Sequence, residues 1–309
     1  MEIYYGIEGF GKVKKPVVTV GTFDGVHIGH SKIFQTMKIL ARECGGETVV
    51  VTFHPHPRLV IHPDSKDLKF INTQERKYDL ISRNGIDHLV VIPFTKEFAA
   101  TTANTFVEDI LVKKIGVCKL VVGYDHHFGR NREGSFEELM KLADKYSFAV
   151  EQIPAQDINN IAVSSTKIRK ALNEGDIRHA NDLLGYEYSI TGIVVGGNKI
   201  GRDIGFPTAN IELQDEYKLI TADGVYACRI LYDGKIYLGM GNIGYRPTIS
   251  NSDLTVEVHI FDFDKEIYGE AITIFFVDRI RDEVKFKNLE ALKEQLTMDR
   301  DSVKIILGG

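Results

Sequence analysis

Cysteine is scarce in this sequence of 309 residues, which contains only Cys44, Cys118 and Cys228. The three are widely spaced, form no C-x-x-C pair and are odd in number. This pattern excludes a disulfide framework and favours free thiols in a reducing compartment.

Long apolar runs are also missing. No stretch approaches the roughly 18–20 residues that cross a bilayer. The first residues, MEIYY, lack the basic segment followed by an apolar segment that marks a signal peptide. We therefore expect a cytoplasmic protein with no membrane partner.

An excess of positive charge is absent too. The sequence has 38 Lys and Arg against 43 Asp and Glu, for a net charge of −5. This balance argues against nucleic acid as the main partner. We expect small-molecule substrates and a single chain as the functional unit, while the oligomeric state stays open. Any anionic substrate must then be bound by helix ends, metal ions and individual basic residues.

The length favours two domains rather than one. The first half alternates short apolar strands with helical patterns, which predicts a parallel sheet with helices on both faces. The predicted strands are residues 17–20, 47–53, 89–92, 119–122 and 149–153, and the predicted helices are residues 30–44, 73–84, 103–115 and 135–146. Ligands of such sheets bind at the carboxyl ends of the strands.

The pattern changes after two further predicted helices, residues 167–173 and 177–184. Short strands follow at residues 188–195, 225–232, 235–240, 255–261 and 270–277, with a final helix at 288–296. The Asp233-Gly234 pair between two apolar runs is typical of a hairpin. We predict a small antiparallel β-barrel with a C-terminal helix. The boundary falls near residues 183–187, which gives domains 1–183 and 184–309.

Glycines and two histidines follow the first predicted strand, in the run TVGTFDGVHIGH at residues 19–30. Glycines let the backbone approach a phosphate, and free N–H groups at a helix start point at the anion. His27 and His30 can stabilise the charge that develops on the phosphate as pyrophosphate leaves, which makes them catalytic candidates. A strand–turn–helix that merely contains histidines is the alternative, but every part lies in the context that the chemistry demands. The ATP- and phosphate-binding candidates here are Gly21, Phe23, Asp24, Gly25 and Gly29.

A second phosphate-binding candidate lies at Ser164, Ser165, Thr166 and Arg169. Three hydroxyls at a helix start can bind phosphate oxygens, and Arg169 can neutralise their charge. An ordinary helix cap is the alternative. The first motif makes the phosphate-binding interpretation the better one.

Two loops at strand ends carry aromatic and polar side chains. His54, His56 and His62 fit no standard zinc spacing, so we favour Phe53 and His56 as a wall against a planar ligand over a metal site. The loop at residues 123–130 adds Asp125 and Phe128. Simple turn chemistry is the alternative for both loops.

The segment GRDIGFPTAN at residues 201–210 is the strongest signal of the second half. Thr208 and Asn210 are hard oxygen donors on one face of an extended segment, and with nucleotide phosphates they suit Mg²⁺. Glu257 lies on an alternating strand and is a candidate general base for a hydroxyl nucleophile. A solvated surface glutamate is the alternative. Residues 239–244 match G-x-G-x-x-G, but the following Pro247 cannot open a long helix, so we interpret them as a strand end or loop.

Taken in this order, the motifs resemble the prokaryotic bifunctional riboflavin kinase/FAD synthetase family over nearly the whole chain. His27-Ile28-Gly29-His30 is similar to the HxGH signature of the nucleotidylyltransferase superfamily. The resemblance implies a Rossmann-like FMN adenylyltransferase domain followed by a Greek-key riboflavin kinase barrel. It also implies two reactions that use ATP: riboflavin gives FMN, and FMN gives FAD and pyrophosphate.

The resemblance also implies roles for individual residues. Thr208 and Asn210 match ligands of Mg²⁺ and phosphate, and Glu257 matches the catalytic base. The flavin-side candidates are His56, Asp125 and Phe128, and further ATP-side candidates are Gly201, Arg202, Gly205 and Pro207. The chain departs from the family at His54, where Asp is frequent, and at Asp125, where some members have Asn.

Two other functions compete with this one. The first is an FMN adenylyltransferase whose barrel binds flavin without catalysis, but such a barrel needs no Glu257 beside Thr208 and Asn210. The second is a nucleotide-binding regulator whose barrel contacts nucleic acid. The acidic pI of about 6.1 and the absence of a basic, aromatic-studded strand face argue against it.

Overall fold

The computed structural model describes residues 1–64, 68–124, 129–130, 134–154, 157–158, 161–197, 200–247 and 252–308. The chain divides into two compact units, Met1–Ser164 and Ser165–Gly309. The two helices before the predicted boundary thus cluster with the second unit. The functional limits, 1–183 and 184–309, stay a prediction.

The first unit is built on a parallel sheet of six strands. They are β1 (Glu2–Tyr5), β2 (Val17–Val20), β3 (Thr48–His54), β4 (His88–Pro93), β5 (Lys119–Gly123) and β6 (Ala149–Ile153). The order β1-β4-β3-β2-β5-β6 reverses direction between β2 and β5. Such a reversal is where open α/β sheets bind ligands, beyond the carboxyl ends of the strands. The predicted α/β domain is confirmed, although the sequence analysis missed β1.

Helices connect these strands. They are α1 (Ile28–Cys44), α2 (Pro57–Ile61), α3 (Gln74–Arg83), α4 (Lys96–Ala99), α5 (Ala103–Thr105), a π-helix (Phe106–Ile115) and α6 (Phe136–Tyr146). In α1, the side chains of Ile33, Phe34, Met37 and Ala41 are buried, as a spacing of three and four predicts. A short hairpin, β7 (Asp157–Ile158) and β8 (Ile161–Ala162), precedes the second unit.

The second unit begins with two helices and continues as a closed barrel. The helices are α7 (Ser165–Asn173) and α8 (Ile177–Leu184), followed by β9 (Ser189–Val195), α9 (Ile200–Asp203), β10 (Ala209–Glu212), β11 (Gly224–Tyr232), β12 (Lys235–Pro247), β13 (Ser252–Ile260), β14 (Ala271–Arg281) and α10 (Leu289–Leu307). The barrel order is β10-β13-β12-β11-β14-β9. Because β14 returns to lie beside β11, the arrangement is a Greek key. The predicted antiparallel barrel and C-terminal helix are confirmed.

The barrel corrects one detail of the sequence analysis. Residues 239–244, expected at a strand end or in a loop, lie inside β12. A Cβ on Gly239 would lie 2.4 Å from the carbonyl oxygen of His259 in the neighbouring strand. Glycine is therefore needed there because β13 comes unusually close.

Candidate active sites

The loop between β2 and α1 has an unusual backbone. Phe23, Gly25 and Val26 adopt positive φ values of 50°, 86° and 37°. Positive φ is costly for Phe and more so for β-branched Val, and such strain persists only where the surroundings fix it. Both side chains are buried, Phe23 at 3 % and Val26 at 2 % exposure. The loop is thus held in one conformation at the carboxyl end of β2.

The two histidines of this loop and helix stack on each other. The ring centroids of His27 and His30 are 3.7 Å apart at an interplanar angle of 16°. Phe23 packs edge-on against His30 at 5.1 Å. Burial, together with the charge of His27, holds the pKa of His30 well below its usual value. Nδ1 of His30 is buried and has no hydrogen-bond partner in the described part of the chain.

Asp24, a predicted phosphate-binding residue, has a buried carboxylate that serves the protein itself. Its Oδ1 accepts hydrogen bonds from the backbone N–H groups of Ile71 (3.0 Å) and Asn72 (3.4 Å). Gly21 donates its N–H to Val51 at 3.0 Å. These bonds tie the loop to the neighbouring chain segments, a role that the sequence analysis did not foresee.

The predicted flavin-side residues are described only in part. His56 stacks on Phe70 with centroids 4.4 Å apart, and its Nδ1 accepts from the N–H of Arg58 at the start of α2. Phe53 has other neighbours, the rings of Phe94 and Phe98 at 5.5 and 5.8 Å. Asp125 and Phe128 lie outside the described residues.

The second phosphate-binding candidate lies where α7 begins. Ser164 and Ser165 are half-buried, Thr166 is exposed and Arg169 is half-buried. The helix is anchored by Ile168 and Leu172, both fully buried. The hydroxyl-bearing residues therefore occupy the first turn of a firmly held helix, as the phosphate-binding interpretation requires.

A polar row crosses three strands of the barrel. Asn210 of β10 lies opposite Glu257 of β13, which in turn lies opposite Asn242 of β12. Thr208, just before β10, donates its Oγ1 hydrogen to Oε2 of Glu257 at 3.3 Å. Directly opposed residues share a face of the sheet, so the structure brings Thr208, Asn210 and Glu257 together. The sequence analysis missed Asn242, whose neighbouring glycines suggested a loop.

The chain before β10 is fixed by backbone contacts. Phe206 donates its N–H to the carbonyl of Gly201 at 2.8 Å, and a Cβ on Gly201 would lie 2.2 Å from the Phe206 oxygen. Gly205 has a φ of 86°. The carbonyl of Pro207 accepts a hydrogen bond from Nδ1 of His259 at 2.7 Å. His259 was not among the predicted site residues.

An open depression of about 630 Å³ adjoins this segment. Its lining includes Arg202, Pro207 and Thr208, together with Phe263, Lys265 and Tyr268. Arg202 is exposed and pairs with Glu266 at 3.3 Å. Three predicted site residues thus border one concave surface.

Together, the fold and the candidate sites are typical of a two-unit transferase that acts on nucleotide phosphates. One unit has a strained loop and paired imidazoles at a sheet reversal point, and the other has a carboxylate–hydroxyl pair on a barrel. Residues 11–167 match the family model described as FAD synthetase, and residues 184–307 match that described as riboflavin kinase.

Full-length relatives agree with these matches. The chain is 39% identical to the bifunctional riboflavin kinase/FMN adenylyltransferase of Listeria monocytogenes, over 93% of this chain and 91% of the relative. It is 34% identical to that of Escherichia coli K12, over 100% of this chain and 98% of the relative. The chain belongs to the bifunctional riboflavin kinase/FMN adenylyltransferase family.

A solved structure supports the fold. The crystal structure of a protein from Streptococcus pneumoniae, described as a macrolide-efflux protein, matches with a TM-score of 0.91 and 32% identity, covering 98% of this chain and 99% of that one. Among the described residues of the present chain, none of the helices has the length and apolarity required to traverse a bilayer.

Proposed function

We propose that this chain uses separate residue sets for the two reactions of its family. As a bifunctional riboflavin kinase and FMN adenylyltransferase, it makes FMN from riboflavin and FAD from FMN. Thr208, Asn210 and Glu257 carry the first reaction, and His27 and His30 carry the second. The observation that supports this division best is the hydrogen bond between Thr208 and Glu257 in the row that also holds Asn210.

In the kinase reaction, Glu257 acts as the general base. The 5′-hydroxyl of riboflavin gives its proton to a carboxylate oxygen of Glu257 while its oxygen attacks the γ-phosphorus of ATP. The bond from that phosphorus to the β,γ-bridging oxygen breaks, and ADP leaves. Glu257 is half-buried on a rigid strand, which suits a positioned base.

The donor set of the barrel fits Mg²⁺. A hydroxyl, an amide and a carboxylate are the hard oxygen ligands that Mg²⁺ prefers alongside substrate phosphates. Among the described residues there is no cluster of three or more His, Cys, Asp or Glu side chains that could hold a metal by itself. Thr208 and Asn210 would hold the ion with ATP, and the ion would neutralise charge on the phosphates.

In the adenylylation reaction, His27 and His30 stabilise the transferring phosphate. A phosphate oxygen of FMN attacks the α-phosphorus of ATP, and the bond to the α,β-bridging oxygen breaks to release pyrophosphate. Since burial keeps His30 neutral at neutral pH, its ring approaches the anion as a hydrogen-bond donor. Among the described residues Nδ1 of His30 is buried without a hydrogen-bond partner, which supports a role in binding an additional group.

The remaining candidates are assigned to the substrates of the two reactions. We assign Gly21, Phe23, Asp24, Gly25 and Gly29 to the ATP of adenylylation through the backbone of their loop. Ser164, Ser165, Thr166 and Arg169 bind its phosphates, and Gly201, Arg202, Gly205 and Pro207 border the ATP of the kinase. His56, Asp125 and Phe128 are assigned to the flavin of adenylylation. A cytoplasmic location, a single-chain functional unit and the absence of nucleic-acid and membrane partners stay predictions.

Two variants of the full-length chain test whether the two reactions use separate residues. Glu257→Gln keeps the shape of the side chain but removes the base, so FMN formation from riboflavin should fall about 10²- to 10⁴-fold. FAD formation from supplied FMN should be unchanged. His30→Ala should show the inverse pattern. Chromatography of FMN and FAD measures both, and kinase activity retained by Glu257→Gln would contradict the base assignment.

A further inference from the structure

Lys77 is a buried cation that contacts the loop between β2 and α1, and the proposed mechanism gives this lysine no role. The residue lies on α3 and is 6 % exposed. Its Nζ donates to the backbone carbonyl of Thr22 and to Oγ1 of Thr52, each at 3.4 Å. The hydroxyl of Thr52 also donates to the Thr22 carbonyl, at 3.5 Å. One carbonyl of the loop thus receives two side-chain donors.

The position of Thr22 gives these bonds their importance. Thr22 immediately precedes Phe23, where the first of the three positive φ angles occurs. Strained backbone persists only where neighbouring contacts over-determine it. Gly21 is fixed by Val51 and Asp24 by the amides of residues 71 and 72. Lys77 supplies the charged contact between these two anchors.

Burial and the carboxylate of Asp24 act on the protonation of Lys77 in opposite directions. Asp24 attracts the ammonium, but burial outweighs this attraction and lowers the pKa of Lys77 to about 8. The ring of Tyr78 lies 5.8 Å from Nζ. Burial raises the pKa of the Tyr78 hydroxyl, so this group stays neutral in the range where Lys77 titrates.

A buried ammonium is expensive, and an apolar side chain of similar length would fill the same space more cheaply. We propose that Lys77 is a positioning residue for FMN adenylylation, whose ammonium clamps the Thr22 carbonyl and so aligns the loop of residues 21–27 with the phosphates of ATP. This inference rests on the proposed role of that loop and of His30.

The proposal makes adenylylation depend on the protonation of Lys77. The ammonium form is present below the Lys77 pKa of about 8 and is lost as the pH rises through it. A neutral amine is a weaker donor to Thr22 and no longer offsets the charge of Asp24. FAD formation should therefore decline on the alkaline side, whereas riboflavin phosphorylation in the other unit should not share this decline.

Three variants of the full-length chain test the proposal between about pH 6.5 and 9.5. Lys77→Met removes the charge, Lys77→Arg keeps it at every pH in this range, and Lys113→Met removes an exposed lysine paired with Glu108 and Asp109. We expect Lys77→Met to lower kcat for FAD formation about 10- to 100-fold, as displacement of reacting groups does. The KM for FMN should change less than about threefold, and Lys113→Met should match the wild type.

The pH profile separates positioning from general destabilisation. In Lys77→Met the alkaline decline near pH 8 should vanish, and in Lys77→Arg it should move to higher pH. A wild-type rate and profile in Lys77→Met would overturn the proposal. If that variant fails to fold, Lys77→Arg decides, because a decline that stays at the wild-type pH also overturns it. His30→Ala tests the proposed function itself, since full FAD formation there would refute the site rather than the role of Lys77.

Discussion

A single methyl group at Gly197 should slow the kinase reaction while leaving the fold intact. Gly197 follows β9, and the side chain of Asn210 lies against it. A Cβ at this position would lie 2.1 Å from Nδ2 of Asn210, 2.7 Å from its Cγ and 3.0 Å from its Oδ1. Favourable contacts between such atoms begin near roughly 3.5 Å. In Gly197→Ala the amide of Asn210 must therefore retreat by more than about 1 Å.

The size of the effect follows from this displacement. A misplacement of about 1 Å in a catalytic site can cost roughly 100-fold in rate. We expect kcat/KM for riboflavin phosphorylation to fall about 10- to 100-fold. The clash involves the end of a side chain that can rotate, so the free energy of unfolding should change by less than about 1 kcal/mol.

The adjacent glycine supplies a matched control. In the part of the chain that the structure describes, a Cβ on Gly196 would have no neighbouring atom within 4 Å. Gly196→Ala should therefore phosphorylate riboflavin like the wild type. FAD formation from supplied FMN, measured in the same preparations, reports on the other unit and should be unchanged in both variants. The reasoning is refuted if Gly197→Ala keeps full kinase activity, or if the two alanine variants lose it equally.

Two further predictions concern the barrel. His259→Ala removes the hydrogen bond to the Pro207 carbonyl, which is worth about 1 kcal/mol. We therefore expect about a fivefold loss of kcat for riboflavin phosphorylation in steady-state assays, with FAD formation unchanged. If the variant and the wild type phosphorylate riboflavin at the same rate, other contacts hold Pro207. Asp299→Ala leaves Arg281 without the carboxylate that it binds through Nε and Nη2, so we expect a loss of about 3–5 kcal/mol in unfolding free energy by calorimetry. Asp301→Ala, which removes an exposed partner of Arg300, is the control and should cost less than about 1 kcal/mol; similar losses in both variants would contradict the argument from burial.

The sequence predicted most of the parallel sheet because buried strands such as β2 consist of β-branched residues, three valines and Thr19. It failed where tertiary contacts decide. The predicted end of β12 came at Met240, but the strand runs to Pro247 because residues 241–247 continue to pair with β13. The final helix was predicted to end at residue 296, but it runs to Leu307 and includes Asp299. Asp299 is in fact 2 % exposed and neutralised by Arg281.

In the candidate sites, too, the sequence predicted some residues and missed those that depend on tertiary contacts. Thr208 and Glu257 are separated by 49 residues, and the structure joins them by a hydrogen bond. The motif around Thr208 and the alternating strand around Glu257 were sufficient to predict both residues as site candidates. Lys77 gave no such signal because a lysine on an amphipathic helix is ordinarily exposed. Only the packing of α3 against the β2–α1 loop distinguishes Lys77 from a surface residue.

The polar row across the barrel limits how this chain can change in length. Glu257 lies between Val256 and Val258, both buried. A one-residue insertion within β13 would exchange the two faces of the strand beyond it, turning a carboxylate inward and a valine outward. Over evolutionary time, insertions and deletions should therefore collect at turns such as Asp233-Gly234, whereas the strands on either side of Glu257 keep a constant length.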